Sequence, residues 1–392
     1  MSFLSVRLPL FAVLALTLTA CGKSASEHAA PSGELVVRIG ASSPLTGPQA
    51  HLGKDNENGT RMAIEDANTK GIVIGGRKVR FELISEDDQA DPKAATIVAQ
   101  KLVDNKVNGV IGHLNSGTTI PASKIYNDNG IVQISPSATA VNYTTQGYKT
   151  AFRVMANDAQ QGHVLGEYAA KNLGAIKIAV IDDRTAYGQG LADEFIKAAK
   201  DSGAEIVAHE YTSDKAVDFT AVLTAIKGKQ PDLLFYGGMD AQAGPMAKQV
   251  KALALNLKFM MGDGGYTPEF VKLAGDAAEG AYASLPGVPL DKMPGGKAFA
   301  ERFVAKYQPI QLYAPYCYDA VNVMIAAMQK ADSVEPAKYL PVLAGIAYDG
   351  VTAKIQFDEK GDLKGGAITL YQVQQGKWQP LETQGMSATA AQ

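Results

Sequence analysis

VNGVIGHLNSGTTIPASKIYNDNGIVQISPSAT, residues 107–139, reads as strand, turn, helix, strand, turn. An apolar run with Val107, Val110 and Ile111 ends in the small, hydroxyl-rich segment Leu114-Asn115-Ser116-Gly117-Thr118-Thr119. The pattern predicts a short helix over about 118–127, with Pro121 in the first turn, where its missing N–H would be unpaired anyway. A second apolar run, Ile131, Val132 and Ile134, ends in Ser135-Pro136-Ser137-Ala138-Thr139. Two parallel strands joined in this way deliver Ser116, Ser137 and Thr139 to one carboxyl edge, where open α/β sheets bind ligands. A helix N-terminus with free N–H groups beside hydroxyls suits a small anion such as a carboxylate. Any one of these residues is equally well explained as a helix cap or turn former. Such turns after each of two consecutive strands favour a binding edge.

Outward from this unit, short apolar runs alternate with helical patterns, the sign of parallel sheet with crossover helices. Towards the N-terminus, 35–41 reads as a strand, 42–53 as a loop rich in Gly, Pro and hydroxyls, and 79–85 as a second strand. A helix with Met62, Ile64 and Ala67 on one face lies between them. Asp91-Pro92 opens the next helix as N-cap and first helical residue. The acidic cluster Glu86-Asp87-Asp88-Asp91 lacks the glycine turn and spaced ligands of a calcium loop, and reads as a solvated turn. Beyond Phe152-Arg153-Val154, the chain is expected to cross to a second lobe at Asn157-Asp158. There the alternation restarts, with helices at 159–173, 190–202, 218–228 and 243–254 and strands at 176–181, 205–211, 233–236 and 258–261. Gly262-Asp263-Gly264-Gly265 follows the last of these, again at a carboxyl edge. The Pro/Gly-rich 286–296 leads back to the first lobe, with helices at 297–307, 315–331 and 336–345. Strands at 353–357 and 367–373 are joined across FDEKGDLKGG.

The length of 392 residues allows two domains. Hydrophobic content of 46% and charged content of 20% describe an ordinary globular protein, and a formal charge of −3 gives no reason to expect a nucleic-acid partner. Five scattered histidines, with no HExxH and no Cys/His spacing, offer no metal site, and no cofactor is expected. YGQG at 187–190 lacks both GxGxxG and a P-loop Lys-Ser/Thr, so a nucleotide is not expected. Residues 1–20 hold Arg7 and then an apolar segment too short to span a bilayer. They end in Leu18-Thr19-Ala20-Cys21-Gly22, which resembles a bacterial lipoprotein signal; cleavage would leave Cys21 as the acylated first residue. Residues 22–33 read as a flexible tether, and Cys317 as a small buried apolar residue.

IGHLNSGTTIPASKIYNDNGI followed by ISPSATA resembles the first-lobe signature of the leucine/isoleucine/valine-binding proteins of branched-chain amino acid ABC importers. GASSPLTGPQAHLG (40–53), EDDQADPKAA (86–95), YGQGLA (187–192), DFTAVL (218–223), FYGG (235–238) and FDEKGDLKG (357–365) extend the resemblance over nearly the whole mature chain. It implies an α/β, type I periplasmic-binding-protein fold: two doubly wound parallel-sheet lobes joined by three crossovers. The expected division is 34–156 with 286–366, and 157–285 with 367–385, followed by a 386–392 tail. The family's first-lobe disulfide is absent, because Ala90 and Asn115 stand at its two positions.

The resemblance also implies the site. Ser116 and Thr139 would hold the carboxylate of a free amino acid, with Thr139 able to serve both ends of the ligand. Ser137 would act largely through backbone, Ala138 would be among the ligand-binding residues, and Asp263 would hold the ammonium. Tyr187 would pack against the ligand backbone and Tyr313 would line the pocket near the hinge. Leu52 and Met239 stand where family members often carry tyrosines, which makes the wall more apolar and more adaptable. The implied function is substrate binding for an ABC permease in the inner membrane, by a monomer anchored in the periplasm through lipid. Leucine, isoleucine or valine is the expected ligand. The alternatives are another amino acid, a small amide, or a same-fold sensor for a signalling receptor. An enzyme is not expected, since no GxSxG elbow, Cys/His constellation or paired carboxylates placed for acid–base work are visible.

Overall fold

A computed structural model describes residues 33–385. The signal segment, Cys21, residues 22–32 of the tether and the 386–392 tail lie outside the described residues.

The first unit runs β1 (Leu35–Ser43), α1 (Ala50–Thr69), β2 (Val73–Ile74), β3 (Arg77–Asp87), α2 (Pro92–Asp104), β4 (Gly109–Gly112), α3 (Ser116–Asp128), β5 (Gln133–Ser135), α4 (Asn142–Thr145) and β6 (Ala151–Arg153). Its strands form a sheet ordered β2-β3-β1-β4-β5-β6, parallel except for the β2–β3 pair. Val37, Ile39, Val110 and Ile134 are wholly buried, as expected where helices cover both faces of a parallel sheet.

The second unit runs α5 (Asp158–Glu167), β7 (Lys177–Asp182), α6 (Ala186–Asp201), β8 (Glu205–Tyr211), α7 (Thr220–Lys227), β9 (Leu233–Gly237), α8 (Asp240–Ala252), β10 (Lys258–Met261), α9 (Pro268–Ala274) and β11 (Tyr282–Pro286). The chain then returns to the first sheet as α10 (Gly296–Lys306), α11 (Ala314–Lys330) and α12 (Pro336–Ala344), with α11 packed on α1 and β4. A small pair, β12 (Tyr348–Asp349) with β13 (Lys354–Ile355), precedes the last crossing. β14 (Ile368–Gln374) and β15 (Lys377–Gln384) complete a second sheet ordered β15-β14-β11-β10-β9-β7-β8. It is parallel from β11 to β8 and antiparallel at β11–β14–β15. The molecule is thus two α/β lobes, with the chain passing between them three times.

Four local expectations need correction. Helix α3 begins at Ser116, because the Asn115 carbonyl already accepts the Thr118 and Thr119 N–H groups at 3.1 and 2.9 Å. Pro121 therefore sits inside the helix and denies the Gly117 carbonyl its donor. Asp88 is not solvated: it is fully buried, accepting from Ser42 Oγ at 3.0 Å and meeting His113 Nδ1 at 2.7 Å. The strand predicted at 353–357 is cut to Lys354–Ile355, the one predicted at 367–373 lies one residue on at Ile368–Gln374, and the two belong to different sheets. Finally, β15 was not expected as a strand. It pairs through a two-residue turn whose members, Gln375 and Gly376, both have positive φ, 54° and 71°, as a type I′ hairpin requires. Asp91 caps α2 as predicted, accepting from Lys93 and Ala94 N–H, and Cys317 is buried and free.

Candidate functional site

Each sheet has a point where winding reverses. In the first it lies between β1 and β4, whose following loops lead to Leu52 on α1 and Ser116 on α3. In the second it lies between β7 and β9, which lead to Tyr187 on α6 and Met239 at the start of α8. Ligands of doubly wound sheets bind at such switch points. The two points face each other across the interlobe cleft: α3 contacts α6, and Leu52, Tyr187, Met239 and Tyr313 share one apolar cluster. All nine predicted site residues are buried, none more than 6% exposed.

On the first lobe, hydrogen bonding separates the hydroxyls by role. Ser137 Oγ donates to the Leu114 carbonyl at 2.9 Å, so its proton is spent tying the two turns together. Ser116 Oγ instead accepts the Ala140 N–H at 3.1 Å, which leaves its own proton free to donate. Thr139 Oγ1 is buried with no hydrogen-bond partner among the described residues, while its carbonyl accepts the Asp158 N–H at 2.9 Å. The open first turn of α3 adds N–H groups without intrahelical partners. This side is built to donate.

The second lobe presents acceptors. Asp263 is buried and takes Tyr187 OH at 2.7 Å and Gln161 Nε2 at 3.0 Å on Oδ1, and Tyr313 OH at 2.7 Å on Oδ2. Tyr313 belongs to the first lobe, at the N-cap of α11, so this bond spans the cleft. Burial raises the Asp263 pKa, against the opposing hydrogen bonds from Tyr313, Tyr187 and Gln161. Backbone packing is close here: a Cβ on Gly264 would stand 2.8 Å from the Met239 sulfur and 2.9 Å from the Tyr187 ring.

Asp158 and Gln161 were not singled out in the sequence. Gln161 Nε2 donates to both Asp158 Oδ1, at 3.1 Å, and Asp263 Oδ1, at 3.0 Å. Asp158 Oδ2 is buried without a hydrogen-bond partner among the described residues. Burial first, and then the nearby Asp263 charge, push the Asp158 pKa up to about 7. Neither carboxylate is hydrogen-bonded to a cationic side chain among the described residues. Two buried carboxylates, one of them eased by the Thr139 hydroxyl, facing donors on the other lobe, match a zwitterion.

The periplasmic binding protein family model matches residues 36–377. A leucine-, isoleucine-, valine-, threonine- and alanine-binding protein from Pseudomonas aeruginosa is 36% identical over 337 residues, 86% of this chain and 89% of that protein. A leucine-binding protein from Thermotoga maritima superposes with a TM-score of 0.82 at 26% identity, covering 88% of this chain and 98% of that one. A branched-chain amino acid transporter substrate-binding protein from Streptococcus pneumoniae, in complex with isoleucine, superposes with a TM-score of 0.79 at 26% identity, covering 89% and 99%. The chain belongs to the periplasmic binding proteins, in the leucine/isoleucine/valine-binding family.

Proposed function

We propose that this protein is the substrate-binding component of an ABC importer, taking a free L-amino acid between its lobes and presenting it to a membrane permease. It acts as a binder, not an enzyme, and works as a monomer. Residues 34–156 and 286–366 form one jaw, and 157–285 and 367–385 form the other. Ser116 Oγ, the Thr139 hydroxyl and the backbone at Ser137 and Ala138 hold the carboxylate. Asp263 holds the ammonium, Tyr187 packs against the ligand backbone, and Leu52, Met239 and Tyr313 shape the side-chain wall. Leucine, isoleucine or valine is the expected ligand, in keeping with the ligands named for the relatives. The observation that carries this reading is the buried Asp263 and Asp158 carboxylates, uncompensated by any bonded cationic side chain, opposite the free Ser116 hydroxyl proton. Leaving such groups unpaired costs about 1–3 kcal/mol each, more for charged groups, which a zwitterionic ligand would offset.

A thermal-shift screen of ligand-stripped protein over all amino acids and small amides tests it. Ligand at about 100 times its dissociation constant adds roughly 2.7 kcal/mol, a readily measured shift. The largest shifts should come from branched-chain amino acids. A best ligand without an ammonium group overturns the assignment of Asp263.

The periplasmic location includes, on this proposal, a lipid anchor at Cys21. One acyl chain binds membranes only marginally, whereas several bind stably. Cys21→Ser should therefore release the protein to the soluble fraction or stall its processing, read by fractionation and by lipid incorporation. Equal membrane retention of both forms, with no lipid attached to either, rules the anchor out.

A further inference from the structure

At the cleft, His51 of α1 and Asp240 of α8 meet across the lobes, with Nε2 and Oδ2 2.8 Å apart. The Asp240 side chain is fully buried, whereas that of His51 is 21% exposed. Thr267 Oγ1 donates to the same Asp240 oxygen at 2.6 Å, and Oδ1 is buried with no partner among the described residues. Asp240 follows Met239 and His51 precedes Leu52, so the pair flanks the two residues assigned to the side-chain wall. Glu269 of α9 adds a second negative charge from the same lobe, and the Pro48 carbonyl faces the ring from its own side. Lys54 and Asp55 of α1 and Tyr307 beyond α10 border the solvent side. Asp55 is occupied there by the N–H groups of Gln311, Leu312 and Ala314. The field reaching the imidazole from the second lobe is therefore negative.

We propose that His51 and Asp240 form a pH-sensitive clasp that holds the two lobes closed. The proposal rests on the reading that a ligand occupies this cleft, but it concerns the closure itself.

The sign follows from the two states. In an open cleft, His51 would lose Asp240 and Glu269 and return towards its ordinary pKa of about 6.5. In the closed form, burial opposes protonation, but the Asp240 hydrogen bond and charge, the Glu269 charge and the Pro48 carbonyl outweigh it, and the pKa is raised. A group whose pKa is raised on closing favours the closed form fully below its open-state pKa, and ceases to do so as pH rises through the closed-state value. Closure is therefore favoured in mild acid and loosened in mild alkali. Asp158 titrates nearby with the opposite effect on a bound amino acid, because its protonation on acidification removes negative charge from the ammonium side. Substituting His51 separates the two.

The test places spin labels at exposed positions of the two lobes, Gln100→Cys and Lys229→Cys, in protein carrying Cys317 buried as it is. Interlobe distance distributions are recorded without ligand and with leucine, at about pH 6 and about pH 8.5, either side of the histidine range. The closed fraction should be larger at the lower pH, and leucine should bind about fivefold more tightly there. His51→Gln should remove the pH dependence of the closed fraction and leave leucine affinity to follow Asp158 alone, weaker at the lower pH, and His51→Lys, charged at both values, should keep the cleft closed at both. The clasp is overturned if His51→Gln retains the wild-type pH dependence of the distance distribution. If that dependence behaves as described but leucine has no effect at either pH, the clasp stands and the ligand assignment fails.

Discussion

Asp263→Ala is expected to weaken amino-acid binding by several hundred-fold or more. Asp263 sits at the carboxyl edge of β10, sealed from solvent in the closed cleft and oriented by Tyr187, Gln161 and Tyr313. Removing one partner of a buried ion pair strands the other charge and costs about 3–5 kcal/mol. Each 1.4 kcal/mol or so is tenfold in affinity. Two further losses act in the same direction: Tyr313 loses its bond across the cleft, and Asp158 alone remains to face the ammonium. Ser116→Ala is the graded comparison. It removes one hydroxyl donor to a charged group, about 1.5–3 kcal/mol, and should cost less. Calorimetry on ligand-stripped protein measures both. Wild-type affinity in Asp263→Ala would remove the acidic anchor from the mechanism.

The second large effect concerns stability. Arg153, at the end of β6, is fully buried, and its Nε and Nη2 donate to Asp362 Oδ1 at 3.0 and 2.6 Å. Its Nη1 donates to the carbonyls of Ala138 and Ala140, at 2.7 and 3.0 Å, on either side of Thr139. Asn157 Nδ2 adds a 3.0 Å bond to Asp362 Oδ2. One carboxylate thus ties the last crossing segment to the first and fixes the turn that presents Thr139. Asp362→Ala leaves a guanidinium buried without its counter-charge, and about 3–5 kcal/mol of stability should be lost. Urea denaturation reports this as a lower midpoint at unchanged slope. Asp362→Asn retains an acceptor and should fall between the two. A midpoint equal to wild type in Asp362→Ala would show that Arg153 is satisfied by the carbonyls alone.

The alternating architecture was legible because parallel strands covered on both faces must be apolar throughout, as in Leu233–Gly237, and because helices such as α2 carry their start signals locally, in Asp91-Pro92. The β15 strand was not, because KWQPLETQ mixes polar residues with a proline and shows no buried face in sequence. Asp88 looked like part of a solvated turn because its partners, Ser42 and His113, arrive from separate strands. The same reason hid the cleft's inner acidic pair. Asn157 announces a helix N-terminus, but nothing local shows that Asp158 turns inward or that Gln161 reaches Asp263, 102 residues away. His51 and Asp240 are 189 residues apart, and only the approach of the two lobes makes them a pair. What was legible at the site came from turns after strands, a local feature; what was missed came from contacts between distant segments.

The sheet that carries Asp263 ends at β15, and its outer rim would ordinarily invite another chain to add a strand. Pro380 stands in that rim opposite Tyr371, where the register slips between Leu370 and Tyr371. A proline offers no N–H, and the slip bends the strand away from a straight template. Lys377 and Glu382 add charge on either side. Two copies meeting rim to rim would find neither a continuous row of donors nor a flat apolar strip. The same residues that make this rim a poor template for an added strand are those that disguise the strand in sequence.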